Sequence, residues 1–193
     1  RAGAERGHQA AVLELGMNHP GEVELLASIA QPTVAVVNNA QREHQEFMHT
    51  VEAVARENGA VLKALPEHGV AVFPAEDAYA GLWSEMAGHA RVWRFSYVLG
   101  PTQPTALNEG GSVLPQPSAL ASGVASEVKG EAHWADTHWD LHIHSPLGEL
   151  TTRLHVPGRH NVHNAMAAAT AALAAGVPLH AVADGLRDFQ AVS

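Results

Sequence analysis

The chain contains no cysteine. That excludes disulfides, thiolate zinc sites and a cysteine nucleophile, and it is compatible with a cytoplasmic location. No apolar run approaches the roughly 18 residues that a membrane-spanning helix needs, so no membrane partner is expected. Basic residues are scarce. Eleven Lys+Arg stand against 20 Asp+Glu, a formal charge of −9 with neutral histidine, and no Lys/Arg cluster appears. This balance argues against general nucleic-acid binding. Two catalytic signatures are also missing: the G-x-S-x-G turn of serine hydrolases and the phosphate loop G-x-x-x-x-G-K-[ST]. What remains is 193 residues that are 46% hydrophobic and 16% charged, a globular composition. A domain of this length buries roughly 70% of its unfolded surface, enough for a real core. The sequence opens Arg1-Ala2-Gly3-Ala4-Glu5 without an initiator methionine or signal pattern, and stops soon after an apparent helix. It reads as an excised piece of a longer protein.

Residues 10–15 (AAVLEL) form a short apolar run expected to be a buried strand, closed by Gly16 and the turn chemistry of Asn18-His19-Pro20-Gly21. Residues 22–30 read as a helix with acidic Glu22 and Glu24 in its first turn, where the helix dipole favours them. Residues 33–38 (TVAVVN) and 69–73 (GVAVF) are further buried strands, and residues 92–95 a fourth. Residues 50–65 and 79–87 are helical between them, although Gly59 weakens the first by about 1 kcal/mol. Strands alternating with helices imply a mostly parallel sheet flanked by helices, an α/β fold. The pattern then changes. Residues 100–118 carry four prolines and three glycines and read as a loop or crossover. Residues 124–134, 139–144 and 149–156 look like an antiparallel meander, with Ser145-Pro146-Leu147-Gly148 as a turn. Residues 161–175 and 179–189 are helices, separated by Gly176-Val177-Pro178.

In an open parallel sheet, ligands bind at the carboxyl ends of the strands. The first such end is Glu14-Leu15-Gly16-Met17-Asn18-His19; the second is Val37-Asn38-Asn39, with His44 five residues on. A carboxylate inside an apolar run needs a partner, and Mg²⁺ with an imidazole beside it is one possibility. The alternatives are a helix cap or a lysine pair for Glu14, and an ordinary surface position for His44. A third place is Gly158-Arg159-His160-Asn161-Val162-His163-Asn164. Asn161 and Asn164 lie three apart on one helix face, so their carboxamides could read a planar base; the alternative is that Asn161 is an N-cap. The 14 histidines also invite a metal reading. His142 and His144 alternate along one strand and share a face, with His133, His138 and His155 nearby. Without thiolates or a fixed ligand spacing, an exposed sheet face is the plainer reading.

These three places occur in the same order in one family. Leu13-Glu14-Leu15-Gly16-Met17-Asn18-His19-Pro20-Gly21-Glu22 resembles the "E-[ML]-G-x-N-x-x-G-E" segment of the Mur ligases, Asn39 to His44 their "N-x-x-x-x-H" segment, and Gly158 to Ala168 their "G-x-H-N-x-x-N-x-x-A-A" adenine segment. Leu65-Pro66-Glu67-His68-Gly69 also fits the turn before the next strand. The resemblance spans about residues 8–189. It implies the central ATPase domain of a ligase, residues 1–193, whose phosphate-loop segment and N- and C-terminal domains are absent from this sequence. The run Asn18-x-x-Gly21-Glu22 points to the branch that adds D-alanyl-D-alanine to a UDP-N-acetylmuramoyl-tripeptide with ATP, through an acyl phosphate, in peptidoglycan synthesis. By this resemblance Glu14 and His44 are catalytic and hold Mg²⁺. His160, Asn161 and Asn164 contact the adenine of ATP, and Asn18, His19, Asn38 and Asn39 line the substrate side. The partners implied are small molecules, with no nucleic acid and no membrane, in a cytoplasmic enzyme that is a monomer at full length. A dimer of the piece could arise from its truncation.

Two departures stand beside the match. Without its phosphate loop the piece is expected to be inactive. Asn58 stands where many members carry a carbamylated lysine that helps hold a second Mg²⁺, and Glu57 is the candidate to replace it. Within the family, folylpolyglutamate and cyanophycin synthetases share the ATPase parts. Outside it, the competing reading is a non-catalytic, His-rich metal-binding or interaction module.

Overall fold

The computed structural model describes residues 8–40, 50–100 and 125–191. Helix α1 (Glu22–Ala30) leads to strand β1 (Val34–Val36). Helix α2 (Val51–Gly59) tightens into a 3₁₀ helix (Ala60–Ala64) before β2 (Val70–Pro74), α3 (Ala80–Met86) and β3 (Arg91–Leu99). The meander is β4 (Ser126–Ala135), β5 (His138–Ser145) and β6 (Gly148–Leu154), followed by α4 (Arg159–Ala174) and α5 (Leu179–Asp188). The six strands are ordered β1-β2-β3-β4-β5-β6 in one mixed sheet. β1 pairs parallel with β2 and β3 with β4, whereas β4, β5 and β6 are antiparallel. The α/β architecture with a meander is therefore as the sequence implies. The expected loop over residues 100–118 falls, from residue 101 on, outside the described residues.

The chain divides into two compact units, residues 1–73 with 77–92, and residues 74–76 with 93–193. In the first, β2 is buried along its whole length, which is why it reads as an unbroken apolar run. Val54 and Ala55 of α2, Leu62 of the 3₁₀ turn, Val23 and Ala27 of α1 and Trp83 of α3 pack around it. Trp83 is fully buried, lies 5.9 Å from the Phe73 ring, and donates its indole N–H to the Ala55 carbonyl at 2.9 Å. That bond lets a large amphipathic ring sit in the core without an orphaned donor.

In the second unit the meander alternates strictly. Val128, Ala132, Leu141, Ile143, Leu150 and Leu154 point inward, and Glu127, Lys129, Glu131, His142, His144 and Glu149 point outward. Val162, Met166 and Leu173 of α4 and Val182 and Leu186 of α5 are buried as well. Each fully buried Leu or Ile is worth about 1.5–3 kcal/mol. Gly130 gives Met166 room: a Cβ there would meet its sulfur at 2.5 Å. Thr152 fastens α5 by donating its hydroxyl to the Ala183 carbonyl at 2.6 Å.

The first expected strand is not formed. Residues 10–15 carry no strand pairing, Val12 is 99% exposed and Leu13 56%. An apolar run becomes a strand only if a neighbour supplies the ladder, and among the described residues β1 pairs on one side alone, with β2. Glu14 is accordingly an exposed carboxylate, not a buried one.

Candidate functional site

The first group of site residues lies in the first unit, on two loops. Asn18 and His19 occupy the turn that enters α1. Glu22 closes that turn: its Oε2 accepts the backbone N–H of Asn18 at 2.6 Å and of His19 at 3.0 Å, and its Oε1 lies 3.2 Å from His19 Nδ1. The two backbone donors, Asn18 first, and then the imidazole pull the Glu22 carboxyl down to about 2. Gly21 follows at φ +90°, a conformation glycine adopts without cost.

Asn38 and Asn39 sit half-buried at the carboxyl end of β1, where Val37 N–H still continues the ladder to the Val72 carbonyl at 2.9 Å. Helix α2 grips both loops. Glu57 accepts the Gly21 N–H with both oxygens at 2.9 Å, and its Oε1 also accepts the Val23 N–H at 2.9 Å. A carboxylate from another helix thus caps the N-terminus of α1, where amide donors and dipole both favour negative charge. Asn58 donates its side-chain N–H to the Asn39 carbonyl at 3.2 Å. The idea that Glu57 replaces the missing lysine as a metal ligand is therefore not favoured, because its oxygens are already engaged. Position 58 instead holds the Asn39 loop.

Glu14 has no hydrogen bond or ion pair among the described residues, and its donor chemistry suits Mg²⁺, which takes oxygen ligands and keeps several waters. His44, its expected companion, lies outside the described residues.

The second group lies in the second unit at the start of α4. The N-cap is Gly158, at φ +98° and ψ 137°, and not Asn161. Asn161 stands in the first turn, where it donates its amide to the Pro157 carbonyl at 2.6 Å and braces the entry to the helix. His160 and Asn164 are exposed on the same turns, and His160 covers the Gly158 backbone, where a Cβ would come within 2.6 Å of its ring. The His163 ring meets Phe95 at 5.1 Å and Tyr97 at 5.9 Å, edge-on in both cases. Burial raises the Tyr97 hydroxyl above its ordinary range; Glu76 adds to this and Arg159 opposes it. Tyr97 and His163 were not singled out from the sequence. The sequence pattern ends the fourth strand at Phe95, but β3 runs to Leu99, and the same-face spacing of residues 93, 95 and 97 is the signal that extends it.

The six-stranded mixed sheet with helices and an antiparallel meander defines an α/β class of domain. The chain belongs to the Mur ligase family: the model described as "Mur ligase middle domain" matches residues 2–172. The UDP-N-acetylmuramoyl-tripeptide–D-alanyl-D-alanine ligase of Escherichia coli K12 is 32% identical over 182 residues, 94% of this chain and 35% of that protein. A crystal structure of MurF from Acinetobacter baumannii superposes with a TM-score of 0.78 at 28% identity, covering 98% of this chain and 36% of that one. Thermotoga maritima MurF, solved in complex with ADP, shares the fold at a TM-score of 0.63 and 19% identity, covering 91% and 34%. The chain thus spans about a third of the length of the relatives it matches.

Proposed function

We propose that these residues are the central ATPase domain of a cytoplasmic, monomeric ligase. Its reaction joins D-alanyl-D-alanine to UDP-N-acetylmuramoyl-tripeptide in peptidoglycan precursor synthesis. In this reading the tripeptide carboxylate takes the γ-phosphoryl group of ATP, and the D-alanyl-D-alanine amine displaces phosphate from the acyl phosphate to form the amide. The observation that carries the reading is the similarity along 94% of the chain to a ligase of that name. Glu14 and His44 are assigned to Mg²⁺, which when bound neutralises charge at the phosphoryl group. His160, Asn161 and Asn164 are assigned to the adenine. Asn161 keeps its Oδ1 for that contact while one amide hydrogen braces Pro157. Asn18, His19, Asn38 and Asn39 are assigned to the substrate side, held in place by Glu22, Glu57 and Asn58. The 193 residues alone are expected to turn over no ATP, because they contain no phosphate-loop motif.

The test is phosphate release by the full-length protein with Mg-ATP, UDP-N-acetylmuramoyl-tripeptide and D-alanyl-D-alanine, omitting each in turn. Release that requires all of them, and is lost in Glu14→Ala and His44→Ala, supports the assignment. Release with a different acceptor only would keep the ATPase site and move the protein elsewhere in the family. No ATP-linked release with any acceptor would overturn the reading.

A further inference from the structure

The outward face of the meander carries a group of side chains that the ligase reading leaves unused. His142 and His144 are two apart on β5, so both rings stand on the same face, with centroids 4.2 Å apart. On β6, Glu149 lies directly across from His144 in the antiparallel register. The tight turn Ser145–Gly148 pins that register: the Ser145 hydroxyl donates to the Gly148 carbonyl at 2.8 Å. One carboxylate then receives both rings. His142 Nε2 lies 3.4 Å from Glu149 Oε2, and His144 Nδ1 lies 3.0 Å from Glu149 Oε1. One ligand atom from each of the three residues lies within 4.8 Å of the other two.

We propose that His142, His144 and Glu149 form a surface site for a divalent transition-metal ion of the Zn²⁺ and Ni²⁺ type. Two imidazole nitrogens and a carboxylate oxygen are the borderline donor set these ions prefer, whereas Mg²⁺ and Ca²⁺ prefer all-oxygen shells. The rings are about two-fifths exposed, so water completes the coordination. The strands set the backbone positions of all three ligands, which limits the ordering cost of binding. The surrounding charge is mixed. Glu131 lies across from His142 on β4, while Lys129 lies across from His144 with its ammonium drawn to Glu127 at 3.1 Å. This site has a different donor chemistry from the Glu14 and His44 pair, and it does not depend on the ligase assignment.

The experiment is Zn²⁺ titration of the full chain against a chromogenic chelator, with millimolar Mg²⁺ present throughout. The variants are His142→Gln/His144→Gln, Glu149→Gln, and His138→Gln/His155→Gln as a control on the same meander. Wild type should take up one tight equivalent. His142→Gln/His144→Gln should weaken it more than about tenfold, Glu149→Gln should weaken it measurably, and the control should leave it unchanged. An NMR titration of the wild type supplies a readout that needs no variant: the imidazole signals of His142 and His144 should respond first to Zn²⁺. The proposal is overturned if the double variant binds as wild type does, if the control pair carries the tight equivalent, or if other histidines respond first.

Discussion

Glu22 and Glu57 both use carboxylate oxygens to satisfy backbone donors, and each yields a measurable expectation. The folded-state pKa of Glu22 lies near 2, below its ordinary 4.5. A depressed carboxyl contributes stability that is present above the ordinary value and lost as pH falls through the folded one. The stability difference between wild type and Glu22→Gln in urea should therefore be constant above about pH 5 and shrink between about pH 4.5 and 2. Glu57 caps a helix to which it does not belong. Its replacement by Ala leaves the Gly21 and Val23 amides without an acceptor, and should cost about 0.5–2 kcal/mol by urea denaturation, the range for lost N-caps. The acidic first turn of α1 was legible from Glu22 and Glu24. The Glu57 contact was not, since it joins residues 36 apart and no local spacing announces it. Glu14 is exposed where the apolar run predicts a buried carboxylate, because periodicity shows an apolar run but not whether a partner strand lies beside it.

At the scale of elements, most boundaries could be read from turn chemistry and period. Residues 22–30 form the expected helix, the Ser145–Gly148 turn joins β5 to β6 as its proline, glycine and serine predict, and the Ala-rich helix ends before Gly176. Gly59 is instructive because its sequence reading was a cost to α2 and its structural role is clearance. A Cβ there would stand 2.8 Å from both Trp83 Cδ1 and Met86 Sδ. The Trp83 ring is fully buried and tied to the Ala55 carbonyl, so it cannot yield cheaply. Gly59→Ala should therefore destabilise by about 1–3 kcal/mol, despite the roughly 1 kcal/mol that alanine gains in helix propensity. A thermal melt decides the sign. Gly158 makes the same point for α4. Alanine at φ +98° is strained by about 1–3 kcal/mol and meets the His160 ring, so Gly158→Ala should lower the melting temperature as well.

For the whole molecule, charge is the controlling quantity. The formal charge of −9 is counted with 14 neutral histidines. The isoelectric point of the sequence is about 5.8, so this charge falls toward zero as the pH drops from 7 toward 6. Net charge keeps proteins apart in solution, so light scattering at fixed protein concentration should rise steeply between about pH 7 and 6. Recovery above pH 7 should accompany restored repulsion, and a flat profile would mean that specific contacts govern solubility instead.

Two consecutive residues of α2, Glu57 and Asn58, reach in turn to the Gly21–Val23 backbone and to the Asn39 carbonyl. The helix therefore works as a yoke. A roll or slide of α2 must drag the segment bearing Asn18 and His19 together with the segment bearing Asn38 and Asn39. The fluctuations of these two segments should accordingly rise and fall in step, and cutting either tether should release one while leaving the other harnessed.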